Sequence, residues 1–139
     1  MQDRFRYRVF DNDDKKMHDV IFLNYENNSV EWYNDNNKKR AAFIGEVPIL
    51  ENTALKDKNN KLIYEGDVVL VKIKIQDRFY NEFYSVTYKG KIIFEKCEFV
   101  IDVVDTTKHP ISLYYNAKNC KIIGNIYENP ELLEVGIPA

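Results

Sequence analysis

A chain of 139 residues, 45% hydrophobic and 30% charged, is long enough to bury a core without disulfides, and its 20 basic and 22 acidic residues leave a formal charge of −2. That balance offers no global positive potential for holding a polyanion, which disfavours non-specific nucleic-acid binding. No run approaches the ~18 apolar residues of a membrane span, and the opening MQDRFRYRVF has no signal-peptide core, so the expectation is a cytoplasmic protein of a bacterial host cell with no membrane partner.

Ten Tyr and eight Phe against two Met suit pleated surfaces better than helices, and the predicted fold class is all-β. Phe5, Tyr7 and Val9 alternate with Arg4, Arg6 and Arg8, a polar break follows at residues 11–14, and residues 17–23 resume the pattern as the second strand of a hairpin. The cluster Asp11, Asp13, Asp14 lacks the glycine and glutamate that a calcium loop needs at its sixth and twelfth positions, so it reads as a solvated turn. Strands at residues 30–33 and 41–44 flank a polar loop tip, and Pro48 marks a seam near residue 50 that closes an N-terminal β lobe, residues 1–50.

Residues 56–61 are turn formers, with Asn59-Asn60 closing a hairpin. Gly66-Asp67 then opens a run over residues 68–75 long enough to bend around a small barrel, with Val69, Val71, Ile73 and Ile75 on one face and Lys72 and Lys74 on the other. Lys89-Gly90 reads as a two-residue hairpin turn between strands at 83–88 and 91–95. Further strands are expected at 98–104, 112–115 and 121–127, followed by a single helical turn with Asn129 as cap and Pro130 in its first position. Cys97 and Cys120 each sit in an alternating apolar run without a CxxC partner. Only His18 and His109 are there to join them, so both read as buried, reduced thiols rather than zinc ligands.

Three segments, FRYRVFDNDDKKM at 5–17, ALKDKNNKLIYEGDVV at 54–69 and KIIGNIYENPELL at 121–133, resemble the YopX family, encoded mainly by phages and prophages of low-GC Gram-positive bacteria. The resemblance implies a two-part β protein whose C-terminal part, residues 51–139, is an SH3-like barrel ending in one short helical turn. The family has no established biochemical activity, and so no catalytic residue to carry over. Leu55, Asp57, Gly66, Asp67, Gly124 and Pro130 match motif positions, each with a folding role. Asn59-Asn60 stands where the family has an Asn-Gly turn, a change that asparagine tolerates in left-handed geometry. Ala54 replaces the glycine of a Thr-Gly-Leu triplet. Either this position is ordinary β or the chain has shifted locally, since a positive φ with a Cβ costs on the order of 1 kcal/mol.

No constellation of catalytic residues emerges. Glu65 and Asp67 flank Gly66 in what reads as a shared solvated turn, without the opposed environments of an acid-base pair. His109 and Ser112 lack a nucleophile elbow and an orienting acid. The expectation is therefore no enzyme, no cofactor, no metal and no small-molecule substrate, and an accessory protein that works by protein-protein binding or self-assembly. Trp32, Tyr33, Tyr114, Tyr115 and Ile137 of the apolar tail are the candidate association residues. The alternative is a single-strand nucleic-acid module using Lys74, Arg78, Tyr80, Tyr84, Tyr88, Lys89 and Lys91, with Phe79, Phe83 and Phe94 adding stacking surface.

Overall fold

The computed structural model describes residues 7–105 and 108–134. Five strands come first: β1 (Tyr7–Asp11), β2 (Lys16–Asp19), β3 (Phe22–Asn24), β4 (Ser29–Tyr33) and β5 (Lys39–Phe43). Residues 17–23, expected as one strand, are divided between two sheets. The Val20 N–H donates to Tyr7 O and the next N–H, of Ile21, to Glu31 O, so the chain passes from β1's sheet to β4's within one residue. β3, β4 and β5 form an antiparallel meander, in which Val30 and Trp32 point inward and are buried.

β6 (Ile49–Lys56) pairs with both β1 and β7 (Leu62–Tyr64), giving a four-stranded sheet of order β2-β1-β6-β7 that runs across residue 50. The remaining elements are β8 (Asp67–Asp77), β9 (Glu82–Glu95), β10 (Glu98–Val103), β11 (Ile111–Ser112), α1 (Leu113–Asn116), a 3-10 turn Ala117–Asn119, β12 (Cys120–Asn125) and a final 3-10 turn Pro130–Leu133. Strands β11-β10-β9-β8-β12 make a five-stranded antiparallel sheet, curled into a half-barrel. The protein is thus nearly all β, as its palette predicts.

Three local expectations fail for identifiable reasons. Lys89-Gly90 is no turn: β9 runs straight through it, and Gly90 is required because a Cβ there would lie 2.6 Å from the Asp102 carbonyl oxygen of the neighbouring strand. The hairpin turn is instead Lys96-Cys97, both with positive φ, between the paired Glu95 and Glu98. Cys97 is therefore an exposed turn residue and not a core thiol. Residues 113–116 turn helical rather than extended, with Leu113 fully buried and both tyrosines outside.

Two apolar clusters hold the body. Val9, Val20, Val30 and Trp32 pack between the first two sheets, and Ile63, Val69, Val71, Ile92, Ile101, Leu113 and Cys120 fill the half-barrel. Each buried branched side chain contributes about 1.5–3 kcal/mol relative to exposure. The two parts are further tied by Phe10 stacked on Tyr127 at 5.3 Å and by Arg8, whose guanidinium lies 4.8 Å over the Tyr64 ring and 3.8 Å from Asp67.

The motif residues sit at turns, strand joints and close contacts. Asp57 Oδ1 accepts the Asn59 and Lys61 N–H groups at 2.9 Å each, while Oδ2 accepts the Ile122 N–H of β12 at 3.0 Å, locking the turn to a strand far along the chain. Asn60 closes that turn with φ of 65°. Gly66, at φ +88°, donates to Ile92 O and accepts from Ile126 N, bridging β9 and the end of β12. Leu55 packs against the half-barrel core. Gly124 lies under Asn129, whose Oδ1 would be 2.5 Å from a Cβ. Pro130 opens the final 3-10 turn, but the Asn129 side chain does not cap it; its Oδ1 accepts the Asn125 N–H instead. Ala54 is not ordinary β: it is left-handed, φ 66°, inside an irregularity of β6 between Asn52 and Lys56, so a positive φ is held there with a Cβ present.

Candidate functional site

β8 and β9 outrun their sheet. β12 pairs with β8 only as far as Val71, and β10 with β9 only as far as Gly90, yet β8 and β9 stay paired in unbroken register out to Asp77↔Glu82. Among the described residues, a two-stranded ribbon therefore projects from the half-barrel with both outer edges unpaired, about 20 Å long at ~3.4 Å per residue. Its turn has no glycine. Asp77 Oδ1 accepts the Phe79 N–H at 2.9 Å and the Tyr80 N–H at 3.4 Å, and Asn81 takes the left-handed position, φ 53°.

Residues directly opposite in an antiparallel pair share a face, so the register sorts the side chains. One face carries Val71/Tyr88, Ile73/Val86, Ile75/Tyr84 and Asp77/Glu82, continuous with the buried Val69 and Ile92. The other carries Leu70/Lys89, Lys72/Thr87, Lys74/Ser85 and Gln76/Phe83, with Lys91 opposite Val68 below. The set Lys74, Arg78, Tyr80, Tyr84, Tyr88, Lys89 and Lys91 is thereby divided. Tyr84 and Tyr88 stand on the inner, apolar face; Lys74, Lys89 and Lys91 stand on the outer one; Arg78 and Tyr80 belong to the turn. Lys74 Nζ already lies 4.5 Å over the Phe83 ring on its own side, and Lys108 Nζ lies 5.2 Å over Tyr88 at the base of the inner face.

The ribbon concentrates exposed rings: Phe79 is 95% exposed, Tyr80 75%, Phe83 59% and Tyr84 51%. Of the association candidates, Trp32 is buried, its indole N–H donating to Asp11 Oδ2 at 3.0 Å, so it offers no surface. Tyr33 is half-exposed, and Tyr114 and Tyr115 form an exposed edge-to-face pair on α1. Ile137 and the tail, like Arg4, Phe5 and Arg6, lie outside the described residues.

The titratable groups form three arrangements. Asp11 is buried rather than solvated. Burial pulls its pKa upward, but the Asp13 N–H, the Trp32 indole and Arg40 together hold it below the usual carboxylate range. Asp11, Asp14 and His18 bring ligand atoms within 4.8 Å of one another, and each is already engaged. Asp11 bonds Trp32, and Asp14 bonds His18 Nε2 at 2.7 Å, while Arg40 pairs with Asp13 and Lys16 with Asp35 beside them. These contacts tie the β1–β2 hairpin to the β3–β5 sheet.

Asp67 is buried too, which separates it from Glu65 in environment. Burial pushes its pKa up to about 6 against the opposing Tyr64 N–H and Arg8. Its Oδ2 is committed to that Tyr64 N–H at 2.9 Å. Cys120, inside the half-barrel, is pushed up to about 12 by burial, with Asp57 adding to the shift. His109 and Ser112 border one shallow depression with Pro110, and no hydrogen bond among the described residues joins their side chains.

The geometry defines a class: a β protein with a curled half-barrel and a projecting aromatic ribbon. The family model for the YopX protein matches residues 6–134, nearly the whole chain, and the chain belongs to the YopX family. Among solved structures it is similar to protein EF1440 from Enterococcus faecalis, at 22% identity and a TM-score of 0.57, over 93% of this chain and 97% of that one, a likeness of fold. No curated protein matches it. Among the described residues, no helix is long and apolar enough to cross a membrane.

Sequence reading named most residues of the ribbon but missed the ribbon itself. Its signal was the run from residue 82 to 95 alternating without a breaker other than Gly90, whose role is close packing rather than turning.

Proposed function

We propose that this protein is a non-catalytic accessory protein of a phage or prophage, acting by protein-protein contact in the host cytoplasm, and that the inner face of the β8–β9 ribbon is its contact surface. The phage setting rests on the family resemblance. The contact surface rests on one observation: a two-stranded ribbon, marginal by itself in water, carries an apolar face out of the sheet and ends in rings that are half to almost wholly exposed. With Ile75, Val86 and the half-exposed Tyr84, that face has the aliphatic and tyrosine composition of an interface core.

The sorting of side chains favours protein over nucleic acid. A base-stacking groove needs several rings among phosphate-neutralising cations, whereas here Tyr84 and Tyr88 lie across the ribbon from Lys74, Lys89 and Lys91, and of the ribbon's paired residues Phe83 alone puts a ring among those lysines. A photoreactive residue at position 84 should give protein adducts in cells making the intact chain, and one at position 85, on the outer face, should not. Absence of adducts at 84, or tight binding of a single-stranded oligonucleotide that weakens steeply with salt, would refute the reading.

A further inference from the structure

We propose that the outer face of the β8–β9 ribbon enters the major groove of double-stranded DNA, with Lys72, Lys74 and Arg78 of the turn neutralising its phosphates. This is a second surface, on the opposite side of the ribbon from the inner-face contact, and it stands without that contact.

The register puts cations on this side and no acids. From base to tip the outer pairs are Leu70/Lys89, Lys72/Thr87, Lys74/Ser85 and Gln76/Phe83, while Asp77 and Glu82 stand on the inner face. All six residues of the three rows beyond Leu70/Lys89 are exposed, and among the described residues neither Lys72 nor Lys74 has an acidic partner. At the base, the exposed Lys121 of β12 stands opposite Leu70 and continues the face. Further down the sheet Asp102 faces Lys91 and Glu95 faces Glu98, so the cationic stretch is confined to the ribbon. The chain's formal charge of −2 conceals that segregation.

The shape selects a duplex. A single strand needs rings on which to stack its bases, and this face has only Phe83; in a duplex the bases are already stacked and the protein need only supply cations and hydrogen bonds. The B-DNA major groove, ~12 Å wide, admits a two-stranded ribbon, and a third strand would add ~4.8 Å. Because β12 stops at Val71 and β10 at Gly90, the ribbon has phosphate walls, and not neighbouring strands, on both flanks once inserted. Its length of about 20 Å covers about six base pairs at ~3.4 Å each. The major groove of an RNA duplex is too narrow and deep for it. Base readers are few. Gln76 Nε2 is tied to Asn81 Oδ1 at 2.6 Å, which leaves the Ser85 and Thr87 hydroxyls, so duplex form and not sequence is recognised.

The test is fluorescence anisotropy of a labelled DNA duplex with the full chain, using variants judged folded by circular dichroism and thermal melts. Three phosphate contacts predict that affinity falls about fortyfold between ~50 and ~200 mM salt, and Lys74→Gln should lower the salt slope by about one. Lys72→Glu and Lys74→Glu should each weaken binding about tenfold or more at low salt, whereas Lys118→Glu, the same change of charge on the exposed 3-10 turn before β12, should leave it near wild type. The same sequence as a single strand, and an RNA duplex, should bind at least about tenfold more weakly. No binding of duplex DNA at low salt, equal losses from Lys74→Glu and Lys118→Glu, or equal affinity for the single strand or the RNA duplex would overturn the proposal. Photoreactive residues keep the two faces apart. DNA adducts from position 85 support the groove reading and their absence sinks it alone; absence of protein adducts from position 84 sinks only the inner-face contact.

Discussion

Replacing Asp57 should unfasten the joint between the 57–61 turn and β12. Its carboxylate receives three backbone N–H groups, those of Asn59, Lys61 and Ile122, and the residue is 1% exposed. A hydrogen bond to a charged group is worth roughly 1.5–3 kcal/mol net, and a buried donor left unpaired costs about 1–3 kcal/mol. The Asn59 and Lys61 donors belong to an exposed turn and regain water, whereas the Ile122 donor sits against the half-barrel and does not. Asp57→Ala should therefore cost about 3–5 kcal/mol, and Asp57→Asn about 1–3 kcal/mol, since the amide oxygen keeps the turn bonds while its NH₂ meets the Ile122 donor. Against a total stability of about 5–15 kcal/mol, the alanine variant loses a large share. Urea denaturation gives the free energies and amide hydrogen exchange at Ile122 gives the location. A loss below ~1 kcal/mol in Asp57→Ala, or unchanged protection at Ile122, would refute the assigned role.

Three further outcomes are expected. Asp67 has a folded pKa of about 6, raised by burial above the ~3.9 of an unfolded aspartate, so the native state binds the proton more tightly. Stability from this group is greatest below about pH 4 and falls by up to ~3 kcal/mol as pH rises to about 6, and Asp67→Asn should flatten that slope in denaturation curves taken across the window. Ala54→Gly removes a left-handed alanine, φ 66°, and should stabilise by about 0.5–1 kcal/mol once the extra freedom of the unfolded chain is deducted; any destabilisation argues against strain there. Of the two cysteines, exposed Cys97 should react at once with a thiol reagent, while buried Cys120, pushed up to about 12, should react only on unfolding; two fast thiols would contradict the packing.

Fold class and folding motifs were legible because they depend on local rules. The palette of Tyr, Phe and branched residues encodes strands. Asp57, Asn60 and Gly66 encode turns through side-chain acceptors and tolerance of positive φ, and the structure uses each for that purpose. What escaped depends on contacts between distant segments. Asp11 sits in a polar run and reads as solvated, but Trp32 on the neighbouring sheet reaches it and buries both. Cys97 sits in an apolar run and reads as core, but the pairing of Glu95 with Glu98 turns it outward. Leu113 is fully buried, and that packing bends residues 113–116 into a helix that two adjacent tyrosines do not advertise.

The ribbon shows why a functional surface can be named residue by residue and still be misassembled. Tyr84, Tyr88, Lys74 and Lys89 look like one aromatic and basic patch in the linear chain because they crowd the same stretch. Strand parity decides otherwise: once Gly90 is inside β9, residue numbers 84, 86 and 88 share a side, and Lys89 and Lys91 take the opposite one. Had Lys89-Gly90 been a turn, the strands on either side of it would have paired with each other and put Tyr88 beside Lys91. The same glycine thus lengthens the hairpin and separates Tyr84 and Tyr88 from Lys74, Lys89 and Lys91. Both effects move the surface away from a base-stacking groove and toward an apolar face that another protein can cover.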